Sequence, residues 1–109
     1  MAYSEALADR IRQALGPRRG LAEKKMFGGV GFLLHGNLCV GVWKTSLIVR
    51  LDPAEAENLL KQPHVRVFDI TGRPMKGLLL VEAEGLESDQ QLAEWIERAA
   101  AFVATLPAK

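Results

Sequence analysis

Between residues 29 and 51 three short runs carry bulky apolar side chains at every second position. Val30, Phe32 and Leu34 alternate with Gly29, Gly31 and Leu33; Leu38, Val40 and Val42 alternate with Cys39, Gly41 and Trp43; Leu47 to Leu51 forms the third run. A period of two puts alternate side chains on opposite faces of a strand. His35-Gly36-Asn37 and Lys44-Thr45-Ser46 separate the runs, and Gly and Asn tolerate positive φ at low cost. Three strands joined by turns this short make an antiparallel meander, whose apolar face needs a covering layer.

The rest of the chain can provide that layer. Ser4 is placed to cap a helix from about Ser4 to Leu15, with Leu7, Ile11 and Leu15 on one face and Gly16-Pro17 ending it. Arg18 to Lys25 reads as a basic connector. Asp52-Pro53-Ala54-Glu55 opens a second, short helix that uses Leu59 and Leu60 for contact and stops at Pro63. Val65 to Ile70 and Gly77 to Ala83 read as a fourth and a fifth strand. The unbroken Leu78-Leu79-Leu80-Val81 predicts an interior position with both faces buried. Ser88-Asp89-Gln90-Gln91 is a capping box for the last helix, whose stripe is Leu92, Trp95, Ile96, Ala99, Val103 and Leu106. The expected fold is a two-layer α+β domain over residues 1–109, ordered α-β-β-β-α-β-β-α, with a five-stranded, mostly antiparallel sheet.

The bulk numbers exclude several classes. A chain of 109 residues, 49% hydrophobic and 25% charged, has the balance of a globular protein and can bury a core without staples. The single cysteine, Cys39, cannot form an internal disulfide. The longest apolar run is strand-sized, and the N-terminus lacks a basic start and an apolar stretch, so a cytoplasmic protein without a membrane segment is expected. The net charge of +1 hides an asymmetry. Residues 1–50 carry eight basic and three acidic side chains, net +5, and residues 51–109 carry six and ten, net −4.

No reaction is written in the sequence. His35, His64 and Cys39 have no chelating spacing, so neither a metal nor a cofactor is expected. Ser4, Ser46, Ser88 and Thr105 are accounted for as caps, turns or helix surface, and no nucleophile elbow is present. Gly28-Gly29-Val30-Gly31 opens a strand rather than a helix, unlike a phosphate loop. It reads as a strand stripped of side chains so that a helix or ring can pack closely. Gly72-Arg73-Pro74-Met75-Lys76-Gly77 is a punctuated turn with two cations that could hold an anion or remain solvated. With Arg18, Arg19, Lys24, Lys25 and Arg50 these could make one basic face, to which nucleic acid is an obvious candidate partner.

Four segments together resemble the TfoX N-terminal domain family: Lys25-Met26-Phe27-Gly28-Gly29-Val30-Gly31-Phe32, Leu47-Ile48-Val49-Arg50-Leu51-Asp52, Arg73-Pro74-Met75-Lys76-Gly77, and Asp89, Leu92 and Trp95 of the last helix. The resemblance implies a small α+β domain similar to the secretion-chaperone-like fold. Founding members look like regulators of bacterial natural competence and carry a second, C-terminal domain for which no counterpart is expected here. Leu78 stands where members often have an aromatic residue, Ile48 where tyrosine is common, and Cys39-Val40 where an aromatic-small pair is usual.

The resulting expectation is a non-enzymatic regulatory or protein-interaction module. Its candidate surface is Lys25, Phe27, Gly28 and Gly29 with Arg73, Met75 and Lys76. The cations would meet an acidic protein partner, the glycines would admit a backbone, and Phe27 and Met75 would give apolar contact. The alternatives are a nucleic-acid-binding accessory domain, and an anion-binding protein or enzyme with its site near Gly77. A homodimer through the meander edge or the Trp43 strand is also expected to be feasible.

Overall fold

Ser4 accepts a hydrogen bond from the Leu7 N–H at 3.1 Å and starts helix α1, Glu5–Leu15. The computed structural model describes residues 3–70, 72–73 and 75–108, so Thr71 and Pro74 of the punctuated turn lie outside the described residues. Leu7, Ile11 and Leu15 are buried, as the helical spacing predicts, and Ala8 is buried beside them. Gly16 ends α1 at φ 60°, with its N–H bonded to the Arg12 carbonyl.

Six strands follow, one more than expected: β1 (Leu21–Met26), β2 (Gly29–Leu34), β3 (Asn37–Trp43), β4 (Ser46–Arg50), β5 (Val65–Val67) and β6 (Leu78–Val81). The additional strand is β1, which the sequence presents as part of a basic connector. Its four central residues are exposed, so no buried alternation marks it, and it is held through backbone pairing with β2. The loop between them is Phe27-Gly28, with φ 55° and 77°. Two positive-φ residues are the mark of a tight hairpin turn, but Asn or Gly is the usual occupant of the first position, not Phe. The His35-Gly36 turn is built the same way, φ 52° and 84°, so His35 rather than Asn37 takes the left-handed conformation. Asn37 instead begins β3, buried, and donates from Nδ2 to the Pro107 carbonyl at 2.9 Å.

The sheet order is β1-β2-β3-β4-β6-β5, every neighbouring pair antiparallel. β6 is interior and all four of its residues are buried, as its unbroken apolar run requires. β3, the Trp43 strand, pairs on both sides and offers no edge for a dimer. The two edges are β1 and β5, and β5 is shorter than the Val65–Ile70 run suggests.

Helices α1 and α3 (Asp89–Val103) cover one face of the sheet; the short α2 (Pro53–Leu59) lies against β6. The capping box of α3 forms in full: Ser88 Oγ accepts from the Gln91 N–H and Gln91 Oε1 from the Ser88 N–H, each at 3.0 Å. Such a cap stabilises a helix by about 1 kcal/mol. Between these helices and the sheet lies the main core, which includes Ile11, Phe32, Val40, Leu47, Val49, Leu79, Leu92 and Ile96. The opposite face carries a smaller cluster of Ile48, Phe68, Leu78 and Leu80, with Leu38, Trp43 and Ile70 packed against it.

The glycine-rich strand explains how that second face is closed. A Cβ on Gly29 would stand 1.9 Å from the Val42 carbonyl oxygen, and one on Gly41 would stand 2.7 Å from the Val30 oxygen. A Cβ on Gly31 would meet the Met26 sulfur at 2.6 Å. The bare positions therefore admit neighbouring strand backbone and the Met26 thioether, not a helix. They let the β1–β2 hairpin bend over the helix-free face.

Cys39 is the extra residue of a bulge between the pairs Phe32↔Val40 and Leu33↔Leu38. It is fully buried, and that burial pushes its thiol up to about 12. A thiol held protonated and out of solvent is unreactive. In native buffer at pH 8, Cys39 is expected to escape modification by a thiol reagent and to react stoichiometrically in denaturant; rapid labelling of the folded chain would contradict this placement.

Candidate functional site

The Phe27-Gly28 turn and the segment after β5 come together at Phe68. The Phe27 ring lies edge-on to the Phe68 ring, 5.2 Å between centroids at 71°. Phe68 is fully buried, whereas Phe27 is 37% exposed. The Phe68 carbonyl accepts the Met75 N–H at 3.0 Å, and the Met75 carbonyl accepts the Leu78 N–H at 3.2 Å. Between them the Gly72 N–H bonds to the Asp69 carbonyl at 2.9 Å, with Gly72 at φ 93°. Gly77 closes the segment: its carbonyl accepts the Leu51 N–H, and a Cβ there would sit 2.8 Å from the Leu51 oxygen.

Of the seven candidate residues, Phe27, Gly28, Met75 and the exposed Arg73 and Lys76 thus belong to two segments that share Phe68 as a neighbour. Gly29 has a packing role against β3. Lys25 is exposed but paired in register with Val30, which places it on the helix-bearing side of the sheet, away from the Phe27–Phe68 contact.

Sequence reading missed a second feature, on the helix-bearing side of the sheet, where Val67 pairs with the main-core residue Leu79. Met75 and Lys76 line a groove of about 540 Å³ whose far side is α2, through Pro53, Ala54, Ala56 and Leu60. Val67 and Leu79 form its floor. Val67 and Met75, at 37% and 38% exposure, are with Phe27 the exposed large hydrophobics among the described residues. The groove arises because β6 enters the sheet between β4 and β5, a non-local pairing with no local signal.

The cations divide into two groups. Arg12 grips Glu23 bidentately, Nε to Oε2 at 2.8 Å and Nη2 to Oε1 at 2.9 Å, and this raises the Arg12 guanidinium above and lowers the Glu23 carboxyl below its ordinary range. Arg10 pairs with Asp89 and Arg18 with Glu97. Three arginines of the basic front half are thereby committed to binding α1 and its connector to β1 and α3, and Arg18 leaves the expected basic face. Lys25, Arg73 and Lys76 form no ion pair among the described residues.

A family model describing the TfoX N-terminal domain matches residues 13–103. The chain belongs to the TfoX N-terminal domain family. No curated protein and no solved structure matches it. In this TfoX N-terminal domain the matched region begins in the last turns of α1 and ends with the last residue of α3, so it contains the whole sheet and both segments that meet at Phe68. Its Ile48 and Leu78 both sit in the smaller cluster beside Phe68, where apolar side chains keep the second face packed.

Among the described residues, no three His, Cys, Asp or Glu side chains gather as a metal site would need, and no helix is long and apolar enough to cross a membrane.

Proposed function

We propose that this TfoX N-terminal domain is a non-enzymatic regulatory and protein-interaction module of the bacterial cytoplasm, linked to control of transcription or competence. Family membership supports the regulatory reading. The observation that carries the interaction reading is the placement of exposed apolar side chains beside unpaired cations. Phe27 and Met75 stand on segments that meet at Phe68, with Arg73 and Lys76 free of ion pairs among the described residues. Apolar anchors with a charged rim are the composition of a protein-docking surface, and the positive rim selects an acidic partner.

The test is affinity capture from a lysate of the cells that encode the chain. The Arg73→Glu/Lys76→Glu double variant is expected to lose about tenfold or more of the partner retained by wild type, because reversing rim charges turns attraction into repulsion. Lys61→Glu, a charge reversal outside the segment, should retain it. Equal retention by wild type and the double variant would overturn the reading. Replacement of the protein partner by DNA or RNA, with affinity falling steeply as salt rises, would favour the nucleic-acid alternative.

A further inference from the structure

We propose that Met75 is a site of reversible oxidation by hydrogen peroxide, and that its sulfoxide weakens the contact Met75 makes with the partner protein. The effect on the partner rests on the protein-interaction reading; the site of oxidation does not.

Access ranks the sulfur atoms. Among the described residues sulfur is carried by Cys39, Met26 and Met75. Cys39 is fully buried in the β2–β3 bulge. Met26 is half-buried with its thioether seated on β2: its sulfur and methyl carbon stand 2.6 and 2.8 Å from where a Gly31 Cβ would lie. Met75 is 38% exposed, and its side chain lines the open groove beside α2. A peroxide must reach the sulfur from solvent, so oxidation of the folded chain falls on Met75 before Met26 or Cys39.

The reaction needs no group beyond the peroxide. A lone pair of the thioether sulfur attacks one peroxide oxygen, and the S–O bond forms as the O–O bond breaks. The departing hydroxide takes the proton of the transferred OH and leaves as water. The thioether is oxidised by two electrons to a sulfoxide, and the peroxide is reduced to water.

The product changes the surface and spares the fold. The Met75 segment is held through its main chain, N–H to the Phe68 carbonyl and C=O from the Leu78 N–H. Its side chain belongs to neither apolar core cluster. A sulfoxide oxygen is a strong hydrogen-bond acceptor that holds water, and the groove wall beside it is built from Ala54, Leu60 and Val67. Covering that oxygen with an apolar partner surface strips its water without replacement, which opposes binding. Loss of an apolar anchor is thereby achieved without unfolding, and reduction of the sulfoxide reverses it.

The test treats the full chain with hydrogen peroxide at neutral pH and follows each methionine by peptide mapping. Met75 is expected to oxidise about tenfold or more faster than Met26, with Cys39 unmodified. The urea midpoint of the chain oxidised at Met75 should match that of untreated chain. Its capture of the cellular partner should fall about tenfold, and the two epimer-specific methionine sulfoxide reductases should restore it. Met75→Leu keeps Met1 and Met26, and its capture should be the same before and after peroxide. Oxidation of Met26 as fast as Met75, a lowered urea midpoint, or an equal loss of capture by the treated Met75→Leu chain would each overturn the proposal. If capture survives oxidation of Met75 but is lost in Arg73→Glu/Lys76→Glu, the sulfoxide switch is wrong and the broader interaction reading stands. If neither change affects capture, the interaction reading fails with it.

Discussion

Gly29→Ala is expected to destabilise the chain by about 3 kcal/mol or more, a large share of the roughly 5–15 kcal/mol that holds a domain folded. The added methyl would lie 1.9 Å from the Val42 carbonyl oxygen. A flexible side chain could swing aside, but this neighbour is the backbone of an interior strand. Relief requires moving β2 from β3 and so breaking part of the ladder that also positions Phe32 and Val40 in the main core. Gly28→Ala makes the comparison decisive. A Cβ at Gly28 meets nothing within 4 Å, so its cost comes from φ 77° alone. The left-handed penalty is about 1–2 kcal/mol. Urea denaturation of the two variants should therefore rank Gly29→Ala well below Gly28→Ala. Equal costs, or the reverse order, would mean that the hairpin does not bend over β3 in this way.

These two neighbouring glycines show what the sequence could and could not disclose. Alternation of Val30, Phe32 and Leu34 discloses the strand and its buried face, and the Ser88–Gln91 box discloses the start of α3. Both are local patterns with local physical causes. The bareness of Gly29 and Gly31 announces a close approach without naming what approaches. The answer, the Val42 backbone and the Met26 thioether, depends on how far the sheet coils. β1 was hidden for a related reason. Edge pairing demands no buried alternation, and Phe27 at φ 55° violates the composition rule by which such a turn is recognised. The candidate site was legible in part. Phe27, Arg73, Met75 and Lys76 stand out as punctuated family segments, whereas Phe68, which joins those segments, and the α2 wall depend on strands distant in sequence.

Phe68→Ala and Phe27→Asn together separate the support of the site from its contact surface. Phe68 is fully buried among Ile48, Leu78 and Leu80 and also bears the Phe27 ring. Truncation removes a core ring and leaves a cavity, at a cost of about 3–5 kcal/mol. A lowered urea midpoint should be accompanied by faster amide exchange at Met75, whose N–H bonds to the Phe68 carbonyl. Phe27→Asn acts differently. It forfeits an aromatic pair worth about 0.5–1.5 kcal/mol beyond area burial. It also replaces an aromatic residue at positive φ by one that tolerates the left-handed region, recovering a similar amount. The two terms nearly cancel, so the denaturation midpoint should stay close to wild type. Partner capture should nevertheless fall about tenfold, as expected when an exposed aromatic anchor is lost at an interface. An exposed ring held in a costly backbone conformation is the kind of strain retained for a contact rather than for the fold. If Phe27→Asn unfolds the chain as readily as Phe68→Ala, Phe27 is a core residue that happens to show an edge. If it leaves both stability and partner capture unchanged, the contact surface does not include this turn.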